Sequence, residues 1–364
     1  MLGFNNPPRS HITIIVSVVM TLATKSPVKT LADYTYTAIE KHFKKTWKWE
    51  KSVKNDQDIE ALHQMRVGMR RLRTTVTSFN SIVNFPKSAD DKNIGKIARC
   101  LGSLRDLDVL KETFKTIYQP QLPKKEKVIL DDVLDILDKQ RADATIDVKT
   151  LFKSERYKSL KTGLKEWLEK PSYQPLANLT LEQALPDLLL PEVSYFFLHP
   201  GWLIGTQVKD NRVIVSTDFD EKKVDKQLLT KGENLHDLRK SGKKLRYQME
   251  LFTDLYGQEY ANHLEQVKNI QEVLGSMQDS VVLDEWLQDV LESKISKELP
   301  TLASLLTKNR YDLWQQWQSL QERYLKLETR FEFHLMILNP NLKPGWEDRK
   351  TTGEAEEKIL IDNN

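Results

Sequence analysis

Two short stretches hold the residue types and spacings that point to chemistry: HQMRVGMRRLR from His63 and HDLRKSGKKLRY from His236. On a helix turning 100° per residue, His63, Arg66, Arg70 and Arg73 fall within an arc of about 80°, each ~5 Å along the axis from the next. The apolar Leu62, Met65, Met69, Leu72, Val76 and Phe79 lie beside that arc and not opposite it. His236, Arg239, Lys243 and Arg246 repeat the arrangement beside Leu235, Leu238, Leu245, Met249 and Phe252. A basic stripe that borders the core is expected to line a groove between helices, and neither stripe has matching carboxylates on its own face. Crowded like charges of this kind call for an anion. Guanidinium forks grip phosphate oxygens in pairs, lysines add point charge, and histidine becomes a further donor as pH falls. The expected ligand is a linear polyanion. Arg71 and Lys244 extend the two stripes, and Lys41, Lys44, Lys45, Lys48, Arg99, Arg105, Arg156 and Arg310 form a second tier.

A single basic stripe on a helix is most often a solvated face paired with carboxylates. Duplication argues against that here. Sliding the chain by 173 residues superimposes Leu62, His63, Arg66, Leu72, Arg73 and Phe79 on identical residues, and without a gap does the same for Leu101, Gly102, Ser103, Asp106, Val109 and Leu110. Arg70-Arg71 becomes Lys243-Lys244, so the charge is kept while the polar surroundings drift. Two related halves follow, each expected to be an antiparallel four-helix unit.

Other chemistry finds little support. Asp106 and Asp108 are two residues apart and do not share a helix face, so ion pairing with Arg105 or the basic stripe is expected of them rather than acid–base work. His63 and His236 have no third ligand nearby for a metal. The chain has no P-loop, dinucleotide fingerprint, HExxH or GxSxG pattern, and no cofactor or enzymatic activity is expected. Trp47, Trp49, Trp314 and Trp317 recur at helical or adjacent spacing and read as packing rather than as base-stacking platforms.

These stripes need helices to carry them, and the 364-residue chain has the composition of a globular protein: 39% hydrophobic, 29% charged, with 13 Gly and 14 Pro. The net charge of +3 is small, so anion binding must come from the arrangement of charge. Three- and four-residue apolar spacing predicts an all-α fold with helices over Leu31–Lys54, Ile59–Asn84, Asp90–Tyr118 and Glu126–Glu169, the last divisible in two, and further helices from about Leu235 to Leu338. Asp58 and Ser88 to Asp90 supply capping types. The halves are read as 25–170 and 223–338, joined by a Pro-rich connector, 171–222, in which Val213-Ile214-Val215 is extended. Residues 1–24 read as a disordered leader, with Met20 an alternative start, and 339–364 as a disordered tail. The apolar run Ile12–Ala23 is too short for a membrane span. A single cysteine, Cys100, requires no oxidising compartment, so a cytoplasmic setting is expected.

The duplicated pattern of a His, an Arg three residues on and a basic cluster ending in Leu-Arg resembles the CHAD family, the conserved histidine α-helical domain. LGSLRDLDVL (Leu101 to Leu110) matches that family's later element fully and LGSMQDSVVL (Leu274 to Leu283) in part, with Gln278 in place of Arg105 and Val281 in place of Asp108. Ser154 to Leu164 resembles its fourth helix. The resemblance implies two four-helix bundles about a pseudo-twofold axis, a basic central groove or pore, and binding of inorganic polyphosphate, in some members at polyphosphate granules. It implies a stand-alone module, since no triphosphate-tunnel carboxylate pattern precedes it. On the residues alone, a nucleic-acid binder, a polyphosphate-cleaving enzyme and a scaffold for an acidic protein remain open.

Overall fold

The computed structural model describes residues 30–340 apart from Gln57. The readings of 1–24 as a leader and of the chain beyond 340 as a tail lie outside the described residues. Helix dominates, as the apolar periodicity predicts. The long helices are α1 (Leu31–Trp47), α2 (Ile59–Ser78), α3 (Asp91–Thr113), α4 (Lys124–Lys153), α5 (Glu155–Glu169) and α6 (Leu181–Phe197). After a hairpin of β1 (Thr206–Lys209) and β2 (Arg212–Val215) come α7 (Glu221–Phe252), α8 (Gln258–Leu291), α9 (Pro300–Leu325) and α10 (Leu327–Leu338). No helix among the described residues is long and apolar enough to cross a membrane.

Local chemistry sets the helix starts. Asp58 accepts the Glu60 N–H at 2.8 Å, Asp90 that of Asn93 at 2.6 Å, and Asp220 that of Lys223 at 2.8 Å, each satisfying a first-turn donor that the helix leaves open. Ser154 divides the span 126–169: its hydroxyl donates to the Leu151 carbonyl, ending α4, and accepts the Tyr157 N–H, starting α5.

The stretch 171–222 is more ordered than its prolines predict. α6 runs through both Pro186 and Pro191. Each proline removes a backbone donor, but α6 buries Leu185, Leu189, Val193 and Phe196 completely within the largest apolar cluster. That burial, at about 1.5–3 kcal/mol per large apolar side chain, outweighs the lost bonds. Val213-Ile214-Val215 is extended, as β2, paired antiparallel with β1.

Two of the three apolar clusters cross the repeat. One joins Leu31, Ile39 and Phe79 to residues of α6 through α10. A second is confined to the first half, where Met65, Met69 and Leu72 of α2 meet Ile97 and Leu101 of α3 and Leu160 of α5. A third packs Phe114 and Leu130 against Leu283, Leu287 and Leu302. Trp314 and Trp317 are fully buried, and Trp47 and Trp49 pack against the edge of the second cluster.

Candidate functional site

The two helices that carry the stripes touch each other. Phe79 and Phe252, equivalent in the repeat, meet edge to face with ring centroids 6.0 Å apart. Beside this contact a cavity of about 730 Å³ opens between α2 and α7, walled by α3 and α6. Arg66, Arg70 and Arg73 reach it from α2, Lys240, Lys243 and Lys244 from α7, and Arg99 from α3. Four carboxylates also line it: Asp91 and Asp106 on α3, Asp187 and Glu192 on α6.

The expectation that the stripes lack carboxylate partners is therefore corrected. Most of the acids come from neighbouring helices, where a wheel drawn on one helix cannot show them; Glu250 stands on α7 itself, four residues beyond Arg246 and on the same face. Arg66 pairs with Asp106 at 2.8 Å, Arg73 with Asp91 through two bonds of 2.7 and 2.8 Å, and Lys244 with Glu192 at 2.5 Å. Glu250 accepts from Arg71 at 3.2 Å and from Arg246 at 2.9 Å, one carboxylate tying both halves. Asp106 thus pairs with the stripe as expected, whereas Asp108 pairs with Arg141 at 2.7 Å and not with Arg105.

Three cations in the cavity have no such partner. Arg70, Lys243 and the exposed Arg99 make no side-chain ion pair or hydrogen bond among the described residues. Arg70 and Lys243 are equivalent positions of the repeat, and each lies in the other's field. Burial, followed by the charges of Arg70, Arg239 and Arg66, pushes the Lys243 ammonium down to about 7. Burial and Arg70 likewise lower Arg66, while the Asp91 bond raises Arg73 and is the largest influence lowering Asp91.

One small unit is repeated faithfully. Arg66 lies over Gly102 and reaches Asp106; Arg239 lies over Gly275 and approaches Asp279 at 3.8 Å. A Cβ at Gly275 would sit 3.0 Å from the Arg239 Nε, and one at Gly102 would sit 3.5 Å from that of Arg66. The Leu-Gly-Ser motif thus gives each guanidinium a flat helix surface to lie on.

The remaining predicted residues are dispersed. His63 faces a second opening, which it lines with Arg105, Lys115 and Arg141. The Arg105 Nε and Nη1 are buried there without a hydrogen-bond partner. Burial holds both His63 and His236 below the usual imidazole range, and the His236 Nδ1 is buried without a partner. Arg156 is exposed on α5, and Lys41, Lys44 and Lys45 on α1; none lines either opening, and Lys44 pairs with Glu40 at 2.9 Å. Arg310 is corrected from the binding tier to the core: it is 5% exposed and paired with Asp225 at 2.7 Å and Asp284 at 3.3 Å. No group of three or more metal-ligating side chains occurs among the described residues. The sequence reading missed Lys240, Tyr247 and the acids of α6. Lys240 stands opposite Val67 in the repeat, so internal comparison does not mark it.

The model of the CHAD domain matches residues 37–288, well over half of the chain. The chain belongs to the CHAD family. Its fold is similar to the crystal structure of the CHAD domain from the plant Ricinus communis, at 21% identity and a TM-score of 0.56, covering 86% of this chain and 95% of that one. It is also similar to PptA from Streptomyces chartreusis, at 13% identity and a TM-score of 0.54, covering 81% and 100% respectively. No curated protein matches. At these identities the likeness is one of fold, and the family match over residues 37–288 spans both stripes.

Proposed function

We propose that this CHAD protein binds inorganic polyphosphate without reacting with it, in the basic groove between α2 and α7. The observation that carries the reading is the crowding of Arg66, Arg70 and Lys243 in one cavity, with only Arg66 neutralised by a carboxylate within 4 Å. A bound anion relieves that repulsion, and a chain of repeated phosphates can do so at several points at once. Contact between Phe79 and Phe252 and the facing of Arg70 and Lys243 fit a pseudo-twofold axis between two helical halves, about which the stripes converge. Arg66, Arg70 and Lys243 form the innermost contacts, with the more exposed Lys244 and Arg99 at the cavity's rim. Arg73, Arg71, Arg239 and Arg246 flank them, and His63 and His236 mark the outer ends of the two stripes.

Non-catalytic binding fits the groove's carboxylates, three of which are engaged by cations. The cations that line the groove are hydrogen-bond donors, and no group of three or more metal-ligating side chains occurs among the described residues. The setting we propose is intracellular, including polyphosphate granules where these form.

The test is direct binding of long-chain polyphosphate at physiological salt, with RNA and single-stranded DNA as competitors at equal phosphate concentration. Polyphosphate that nucleic acids do not displace supports the reading. Equal displacement would reduce the site to a generic basic groove, and shortening of the polymer during incubation would replace the binding role with a catalytic one.

A further inference from the structure

Two unpartnered cations of the groove are the same position of the repeat in two chemistries, Arg70 in the first half and Lys243 in the second. An arginine pair at this point would hold two permanent charges against each other, because a guanidinium does not lose its proton in a protein. A lysine has another way out: it can release a proton and leave a neutral amine beside the arginine.

The surroundings of Lys243 favour that release. Arg66 and Arg70 face it from α2, and Arg239, Lys240 and Lys244 crowd it on α7. The acids nearby offset this only in part: Asp106 of α3 opposes the release but pairs with Arg66, Glu192 of α6 pairs with Lys244, and Asp279 of α8, though it feels the Lys243 charge, and Asp187 of α6 make no ion pair with Lys243 within 4 Å. The Lys243 side chain is half-buried, so water solvates the ammonium poorly. Titration near neutrality is the result.

We propose that anion capture in this groove is proton-linked through Lys243, which sheds its proton to relieve Arg70 in the free protein and takes one from solvent when a polyanion enters. This rests on the polyphosphate reading of the groove and adds a regulation to it. Its sign is fixed. Below about pH 7 the free protein already carries the proton, and binding takes up none at this residue. Above about pH 7 the amine is neutral until the anion restores its ordinary basicity. Affinity then falls about fivefold per occupied groove between about pH 7 and pH 8, with uptake approaching one proton.

The experiment is calorimetric titration of long-chain sodium polyphosphate into the full protein at about pH 8, in two buffers of different ionisation enthalpy. Few terminal phosphates are present per chain, and a blank without protein removes their share. The expected result is an enthalpy that differs between buffers by close to one proton's ionisation per groove. Lys243→Arg and Lys243→Met should both abolish the difference, the first with a fixed charge and the second with none. Binding with no buffer dependence in the wild type, or a dependence that survives in either variant, would overturn proton linkage while leaving the polyphosphate reading standing. An absence of binding at every pH would overturn both.

Discussion

The stripe on α2 and the stripe on α7 share one sequence pattern, and the places where they differ are informative. At Arg66 and Arg239 the copies agree: each arginine lies over a helical glycine and points to an aspartate one turn on. At Arg73 and Arg246 they differ in where the acid comes from. Arg73 takes Asp91 from α3, whereas Arg246 takes Glu250 from its own helix and shares it with Arg71 of the other half. At Arg70 and Lys243 no acid is supplied, and only the second copy can change its charge. The two stripes thus agree where an arginine lies on a glycine seat and differ in pairing where it does not.

Buried and groove arginines should separate most sharply. Arg310→Met leaves Asp225 and Asp284 without their cation in the core, and we expect a loss of about 3 kcal/mol in denaturant unfolding. Arg70→Met removes an uncompensated charge, so the free protein should be as stable as wild type or more so, while polyphosphate binding weakens about tenfold. A stable Arg310 variant, or an unstable Arg70 variant, would break the distinction.

Glu250→Gln tests the bridge between halves. It leaves Arg71 and Arg246 with a neutral partner, and a loss of about 1–2 kcal/mol is expected in the same unfolding measurement. The glycine seats give the smallest effect. Gly275→Ala should weaken binding more than Gly102→Ala, by about twofold, because its Cβ would press on Arg239 at 3.0 Å rather than on Arg66 at 3.5 Å. Equal affinities in parallel titrations would show that the seats do not position the guanidinium groups.

Much of this was legible from spacing alone. The starts of α1, α2 and α3 follow from apolar periodicity and the capping types at Asp58 and Asp90, and the break at Ser154 falls inside the span read as divisible. α6 was not legible as a helix, since Pro186 and Pro191 argue locally against one and only its burial against α7 and α10 decides the matter. For the site, the stripe residues, their duplication and the pairing of Asp106 with a stripe were visible, but most of the other counter-charges were not. Asp91 and Glu192 lie on other helices, and the packing that brings them to Arg73 and Lys244 has no signature within either stripe. Arg310 shows the converse: its residue type suggested a surface role, and only its burial against Asp225 and Asp284 reveals a structural one.

The most direct test of the groove is the salt dependence of long-chain polyphosphate binding, measured for wild type and for the combined variant Arg66→Ala, Arg70→Ala, Lys243→Ala, Lys244→Ala, with circular dichroism confirming the fold. By analogy with counterion release from single-stranded nucleic acids, the variant should bind far more weakly, and its slope of log affinity against log salt should be shallower by about 3. Unchanged affinity and slope in a folded variant would contradict the account and place the polyanion elsewhere on the protein.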